Sequence, residues 1–250
     1  MINEALLKPL KSIRGDFGIW FESPDNTVSF NPDTPFVAAS VIKLGVMLAA
    51  FEAEKTGKIS FETEYCVKEA DKLPSCGALT YMHTGLNVTL MDLITLMIIL
   101  SDNSATNILI KLMSIEYINS VLNRYGLCDI VLRRLLFDSV ASSKGIENTV
   151  TARSVASFYR QLLNKTLVSE EASEKMLDIL FDQRLNGKMP FFLHPRDIDV
   201  AHKTGEDEGI SHDTGIILAP SPIIAVFLSG NSDVPAFERY IQDTALTLTL

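Results

Sequence analysis

Hydrophobic and polar positions along the chain fall into three blocks. Near the start, Ala5, Leu6, Leu7 and Leu10 recur at helical spacing, which predicts a short helix over residues 3–13 with these four inward. Residues 16–22 alternate and are rich in Phe, Ile and Trp, which predicts a strand. The turn formers Ser23, Pro24, Asp25 and Asn26 lead into a second strand over 27–30, and the two read as a β-hairpin. Residues 40–54 then carry Val41, Leu44, Val46, Met47, Leu48 and Phe51 and predict an apolar helix ended by Thr56-Gly57, a glycine cap. Ser40 would stand at that helix N-terminus, with Lys43 on the same face. A surface helix does not usually begin with a lysine on its buried side, so this stretch is singled out.

The middle block is helical. Residues 60–85 show weak periodicity. Thr89-Leu90-Met91-Asp92 is a capping box, and the helix it opens is apolar through Leu93, Ile94, Leu96, Met97, Ile98 and Ile99, as a buried helix would be. Ser101-Asp102-Asn103 ends it. Further helices are predicted over 104–113, 115–125, 151–163 and 169–181, with a long loop over 126–149. The last block returns to strands over 198–202, 211–218 and 223–228 and closes on a helix over 234–246. Strands at both ends with helices between predict an α+β fold, one antiparallel sheet built from both termini. The expected organisation is a single domain, 1–250, with an α/β lobe from about 1–55 and 190–250 and an all-α lobe from about 56–189. A site is expected where the lobes meet.

Composition narrows the function. The chain has 250 residues, 47% hydrophobic, with 22 basic and 31 acidic residues and a net charge of −9. An acidic chain without a basic cluster argues against nucleic acid or an anionic membrane as partner. The longest apolar runs, 46–51 and 223–228, are far short of a membrane span. Residues 1–16 hold no apolar stretch of signal-peptide length, which fits a cytosolic protein or an exported one whose leader has been removed. Cys66, Cys76 and Cys128 show no metal-ligand spacing. They are expected as reduced thiols packed like small apolar groups, with a Cys66–Cys76 bridge the one pairing left open. His83, His194, His202 and His212 are scattered, so no metal or other cofactor is implied. The expected partner is a small-molecule or peptide-like substrate, and the expected state a monomer.

Three short motifs follow one another: Ser40-Val41-Ile42-Lys43, Ser101-Asp102-Asn103 and Lys203-Thr204-Gly205. Singly they are weak, since about one SxxK is expected by chance in a chain this long. Lys55-Thr56-Gly57 repeats the third and reads only as a helix end. As an ordered set they make chemical sense. A serine hydroxyl is a poor nucleophile until a base takes its proton. Lys43 could be that base if burial and a nearby cation, Lys203, depress its pKa. Ser101 could pass a proton to a leaving nitrogen, and Asn103 could hold both Lys43 and a substrate amide oxygen. Lys203 and Thr204 suit a substrate carboxylate, with Gly205 completing the substrate-binding edge. The N–H groups of Ser40 and Glu206 could form an oxyanion hole. The ordinary alternatives are Ser101 and Asp102 as helix caps, Asn103 as a turn residue and Lys203 as a solvated strand end.

The ordered triple resembles that of class A β-lactamases and penicillin-binding proteins. The resemblance extends to the apolar helix running into SDNSATNILI and to His202-Lys203-Thr204-Gly205 followed by Ser211-His212-Asp213-Thr214-Gly215-Ile216-Ile217. It covers the chain from about Asp16 onward. It implies a β-lactamase/transpeptidase-like fold and a serine hydrolase working through an acyl-enzyme on β-lactams or related carboxylate-bearing amides. A D-Ala-D-Ala peptidase, an esterase and a β-lactam binder without turnover, such as a sensor, are the other readings. Active class A enzymes carry Arg-x-Glu in the long loop, followed by Leu-Asn, and that glutamate positions the deacylating water. Here Arg134 matches the arginine and Leu136 stands at the glutamate's place. Asp138 and Glu147 are the acids left to serve as base, and Glu147 is expected to pair with Arg134 or Arg133. Residues 74–79 are expected as one cleft wall. Glu206, Asp207 and Glu208 would disfavour anionic substituents near their edge.

Overall fold

The computed structural model describes residues 2–74 and 76–250. The first turn-rich segment, Glu4–Ser12, is a 3-10 helix with Leu6 and Leu10 buried and Ala5 exposed. Pro9 has no N–H to donate, which works against the regular helix expected there. The hairpin forms as expected from β1 (Asp16–Glu22) and β2 (Thr27–Phe30). Then come a short β3 (Phe36–Val37), a 3-10 turn at Ala39–Ile42 and α1 (Lys43–Lys55). Ser40 therefore lies in the turn and the α-helix starts at Lys43. Ala39 has φ +43°, a left-handed conformation that costs an L residue free energy and that surrounding packing must hold.

The weakly periodic stretch holds β4 (Glu64–Cys66), paired antiparallel with β5 (Asn87–Thr89). The helices α2 (Leu90–Ile99), α3 (Asn103–Met113) and α4 (Ile115–Arg124) follow, and the Thr89–Asp92 capping box forms on both sides. The long loop is not structureless. It contains α5 (Ser139–Ser143) and ends in β6 (Thr149–Val150), which pairs with β3. Amphipathic α6 (Ala152–Leu163) and α7 (Glu170–Phe181) start at the side-chain caps Thr151 and Ser169. The chain closes with β7 (Val200–Asp207), β8 (Ile210–Ile217), β9 (Ile223–Gly230) and α8 (Val234–Leu248). The first of these strands runs five residues beyond the expected 202, so Lys203-Thr204-Gly205 lies inside it rather than after it.

The main sheet has the order β2-β1-β9-β8-β7, antiparallel throughout, with the two ends of the chain side by side (Ile19 opposite Phe227) and β7 at an open edge. Period-two alternation divides β1 between two cores. Phe17, Ile19 and Phe21 pack with α8 and the N-terminal 3-10 helix, while Trp20 faces the cluster of α1, α2, α3 and α6. Every residue of α1 from Lys43 to Ala53 is buried, so this helix is enclosed on all sides. The three cysteines, expected as packed thiols, are exposed. Among the described residues, no helix is long and apolar enough to cross a membrane.

His212 on β8 ties the lead-in of the Ser40 turn to the sheet. Its Nε2–H donates to Val37 O at 2.8 Å, and its Nδ1 accepts the Ser229 N–H at 3.1 Å. Burial, foremost, pushes the imidazole down to about 4 from its ordinary 6.5. The unfolded chain thus binds this proton more readily, and stability is lost as pH falls from about 6.5 to about 4. Urea denaturation at pH 6.5 and 4.5 should show a larger loss for the wild type than for His212→Gln. An equal loss would contradict this assignment.

Candidate active site

The functional side chains come from three places: the 3-10 turn with the start of α1, the α2–α3 junction, and the edge strand β7. Gly205 brings the first and third together. A Cβ there would stand 3.1 Å from His212 Cδ2, 3.2 Å from Val41 Cγ2 and 3.3 Å from the Ala39 Cβ, so β7 lies directly on the turn. The α2–α3 junction is built on Asp102. Its Oδ1 caps α3 through Ala105 N–H at 2.9 Å, and its Oδ2 accepts the N–H groups of Ala78 and Leu79 at 2.7 and 2.9 Å. Gly77 sits so close that a Cβ would fall 2.3 Å from the Asp102 carboxyl, at φ +120°. The segment after Ser75 is thereby laid against the junction, as a cleft wall requires; Ser75 itself is outside the described residues.

Lys43 and Lys203 are both fully buried and converge on one hydroxyl. Lys43 Nζ donates to Ser101 Oγ at 2.9 Å, to Ser101 O at 2.7 Å and to Asn103 Oδ1 at 2.8 Å. Lys203 Nζ donates to the same Ser101 Oγ at 3.1 Å and to Thr204 O at 2.9 Å. A hydroxyl that accepts twice has used both lone pairs, which leaves its proton for a group in the cavity. Burial, and after it the Lys203 charge, push Lys43 well below the usual ammonium range, with Cys76 and Asp102 pulling the other way. Burial and then Lys188 bring Lys203 down to about 7. Of the ordinary alternatives, the cap role holds for Asp102, while Lys203 is no solvated strand end.

A cavity of about 600 Å³ opens above this centre, and Ser40, Ser101, Asn103, Thr204, Gly205 and Glu206 all line it. The sequence motifs thus meet in one place. The opposite wall is the long loop, with Leu136 and Asp138 also lining the cavity. Asn107 grips the loop there: its Oδ1 accepts Leu136 N–H and its Nδ2 donates to Leu136 O, each at 2.9 Å. Leu136 is half-buried and packs on the core. Glu147 is occupied on both oxygens, by Arg134 at 2.5 and 3.0 Å and by Ser142 Oγ at 2.5 Å. Asp138 caps α5 through Ala141 N–H at 2.9 Å.

Some residues of the site were not singled out in the sequence. Asn107 stands four residues after Asn103 on the same helix face, which is the signal that could have marked it. His202 is fully buried between Asp213 Oδ1 at 2.8 Å and Asn186 Oδ1 at 3.0 Å, and fixes the strand just before Lys203. No group of acidic, His or Cys residues suited to a metal ion occurs among the described residues. Removing the junction's organiser should be costly. Asp102→Ala loses a cap and two loop hydrogen bonds to a buried carboxylate and should destabilise by on the order of 3 kcal/mol in urea denaturation. A loss below about 1 kcal/mol would contradict this role.

The chain matches the β-lactamase enzyme family over residues 2–249. It is 24% identical to β-lactamase VEB-1 of Pseudomonas aeruginosa over 270 residues, spanning 97% of this chain and 86% of that protein. A solved β-lactamase from Sphaerobacter thermophilus DSM 20745 shares the fold at TM-score 0.90 with 28% identity, over 99% of this chain and 97% of that one. A mutant of PBP-A in an acyl-enzyme complex with penicillin G shares it at TM-score 0.87 with 23% identity, over 98% and 93%. With a family match that takes in nearly the whole chain and a fold common to solved β-lactamases, this protein belongs to the β-lactamase enzyme family and is a serine hydrolase.

Proposed function

We propose that Ser40 is the nucleophile and is acylated by β-lactams, or by related amides bearing a carboxylate, and that the acyl-enzyme is released slowly. The observation that carries this reading is the contrast between the two walls. On one side Lys43 and Lys203 meet beneath the cavity at the Ser101 hydroxyl. On the other the loop presents Leu136 where the resemblance expects a glutamate, beside an Asp138 that caps α5 and a Glu147 that is paired.

In acylation, Lys43 as the neutral amine accepts the Ser40 hydroxyl proton while Oγ forms the bond to the substrate carbonyl carbon. The N–H groups of Ser40 and Glu206 receive the oxyanion. When the C–N bond breaks, Ser101 gives its proton to the departing nitrogen and is reprotonated from Lys43. Asn103 holds Lys43 and the substrate amide, while Lys203, Thr204 and Gly205 hold the carboxylate end. Deacylation needs a base for an attacking water. A leucine side chain cannot accept a proton, and Glu147 is tied to Arg134 and Ser142. The trapped acyl-enzyme is the state expected of a penicillin-binding protein. PBP-A shares this fold, and the acyl-enzyme with penicillin G is that of a leucine-to-glutamate mutant, which supports the comparison.

Turnover of a chromogenic cephalosporin tests the reading. The wild type should turn over slowly, Ser40→Ala should be inactive, and Leu136→Glu should raise turnover about tenfold or more by restoring a base. Unchanged slow turnover in Leu136→Glu would show that the loop residue is not limiting. Efficient wild-type turnover would contradict slow release outright.

The pH dependence follows from Lys203. Its ammonium is held down to about 7 by burial and Lys188, against Asp213, Cys76 and Glu206. The second-order acylation rate constant, which reports the free enzyme, should therefore fall as pH rises through about 7 for a carboxylate-bearing penicillin. Stopped-flow acylation from pH 5.5 to 9, scanned in steps of about half a unit, checks this. A rate still rising across that limb would contradict the role given to Lys203.

A further inference from the structure

Lys188 belongs to none of the three motifs. It lies in the irregular stretch between α7 and β7 and is buried, yet its ammonium is held by charge. It meets Glu206 Oε1 at 2.8 Å and Glu238 Oε1 on α8 at 3.9 Å, and it donates to His212 O on β8 at 3.2 Å. Glu238 Oε1 is itself fixed by Ser211 Oγ at 2.9 Å. A lysine from outside the sheet thus reaches the edge strand, its neighbour and the last helix together.

Glu206 directly follows Lys203-Thr204-Gly205, lines the cavity, and has its side chain 61% exposed. A carboxylate at that place, left uncompensated, would repel the substrate carboxylate meant for Lys203 and Thr204. The two charges act on Lys203 in opposite senses, Lys188 lowering its proton affinity and Glu206 raising it. The buried cation and the exposed anion therefore work as a unit at the carboxylate end of the cleft.

We propose that Lys188 is a positioning residue that holds the Glu206 carboxylate back against β8, and that this pair sets the preference of the cleft for carboxylate-bearing substrates. The proposal rests on the acylation reading above. It extends that reading by naming the residues outside the motifs that determine which substrates acylate.

The test is the second-order rate of acylation by penicillin G and by its methyl ester, which lacks the carboxylate. The wild type, Lys188→Met, Glu206→Gln and the double variant are compared by intact mass at about pH 5.5, below the range in which Lys203 loses its proton. Lys188→Met should slow penicillin G about tenfold and the ester less than about twofold. The double variant should recover penicillin G to within about threefold of the wild type, because the released carboxylate is gone. Glu206→Gln alone should raise the ratio of penicillin G to ester rates, since it removes the carboxylate at the cleft and leaves Lys188 only the more distant Glu238. That arm stands even where Lys188→Met does not fold, and an unchanged or lowered ratio there overturns the proposal. It is also overturned by equal slowing of acid and ester in Lys188→Met, or by a double variant as slow as Lys188→Met. A wild type that neither compound acylates defeats the acylation reading itself and the proposal with it.

Discussion

Two ammonium groups, those of Lys43 and Lys203, are enclosed by protein and share the Ser101 hydroxyl. Burying one charge is unfavourable by several kcal/mol, and placing a second near it adds repulsion. The fold accepts this because the surrounding elements are fixed for other reasons. The helix α1 is enclosed on all sides, Asp102 anchors the α2–α3 junction, and the absence of a side chain at Gly205 lets β7 lie on the Ser40 turn. The strain is released chemically. Burial, foremost, pushes both lysines toward the neutral amine, with the Lys203 charge adding to it at Lys43 and the Lys188 charge at Lys203. In the acylation proposed above, that cost in stability becomes the neutral amine that takes the Ser40 proton.

Much of this was legible in the residue order. Regular periodicity located β1, β2, α2, α6 and α7 because each is half-buried or enclosed by its own pattern. The capping box at Thr89–Asp92 and the caps at Thr151 and Ser169 are local chemistry, and local chemistry can be read from sequence. The three motifs could be set in one cavity because their residue types make sense only together. The elements that were misplaced depend on distant partners. Ala39 takes its left-handed conformation, and Ser40 its 3-10 turn, from packing against β7. The far half of β7 is strand because β8 pairs with it as far as Asp207, although Gly205, Glu206 and Asp207 have little strand propensity of their own. Lys188 had no local signal at all, since its partners at Glu206, His212 and Glu238 are brought to it only by the sheet and α8.

The long loop shows both sides of this limit. Arg134 and Leu136 could be placed by resemblance, and the pairing of Glu147 with Arg134 was expected. The grip of Asn107 on the Leu136 backbone was not, and it fixes Leu136 among the loop residues that line the cavity. Held by two hydrogen bonds and core packing, Leu136 keeps an apolar group at the wall beside Asp138.

The central claim is that this enzyme gains an acyl group readily and loses it slowly. The most direct measurement is a pulse of penicillin G followed by removal of free drug and intact-mass readings over time. The account predicts one adduct per chain, absent in Ser40→Ala, that persists long after the pulse. A chain that stays unmodified while a control penicillin-binding protein is labelled, or an adduct lost within a few seconds, would contradict it.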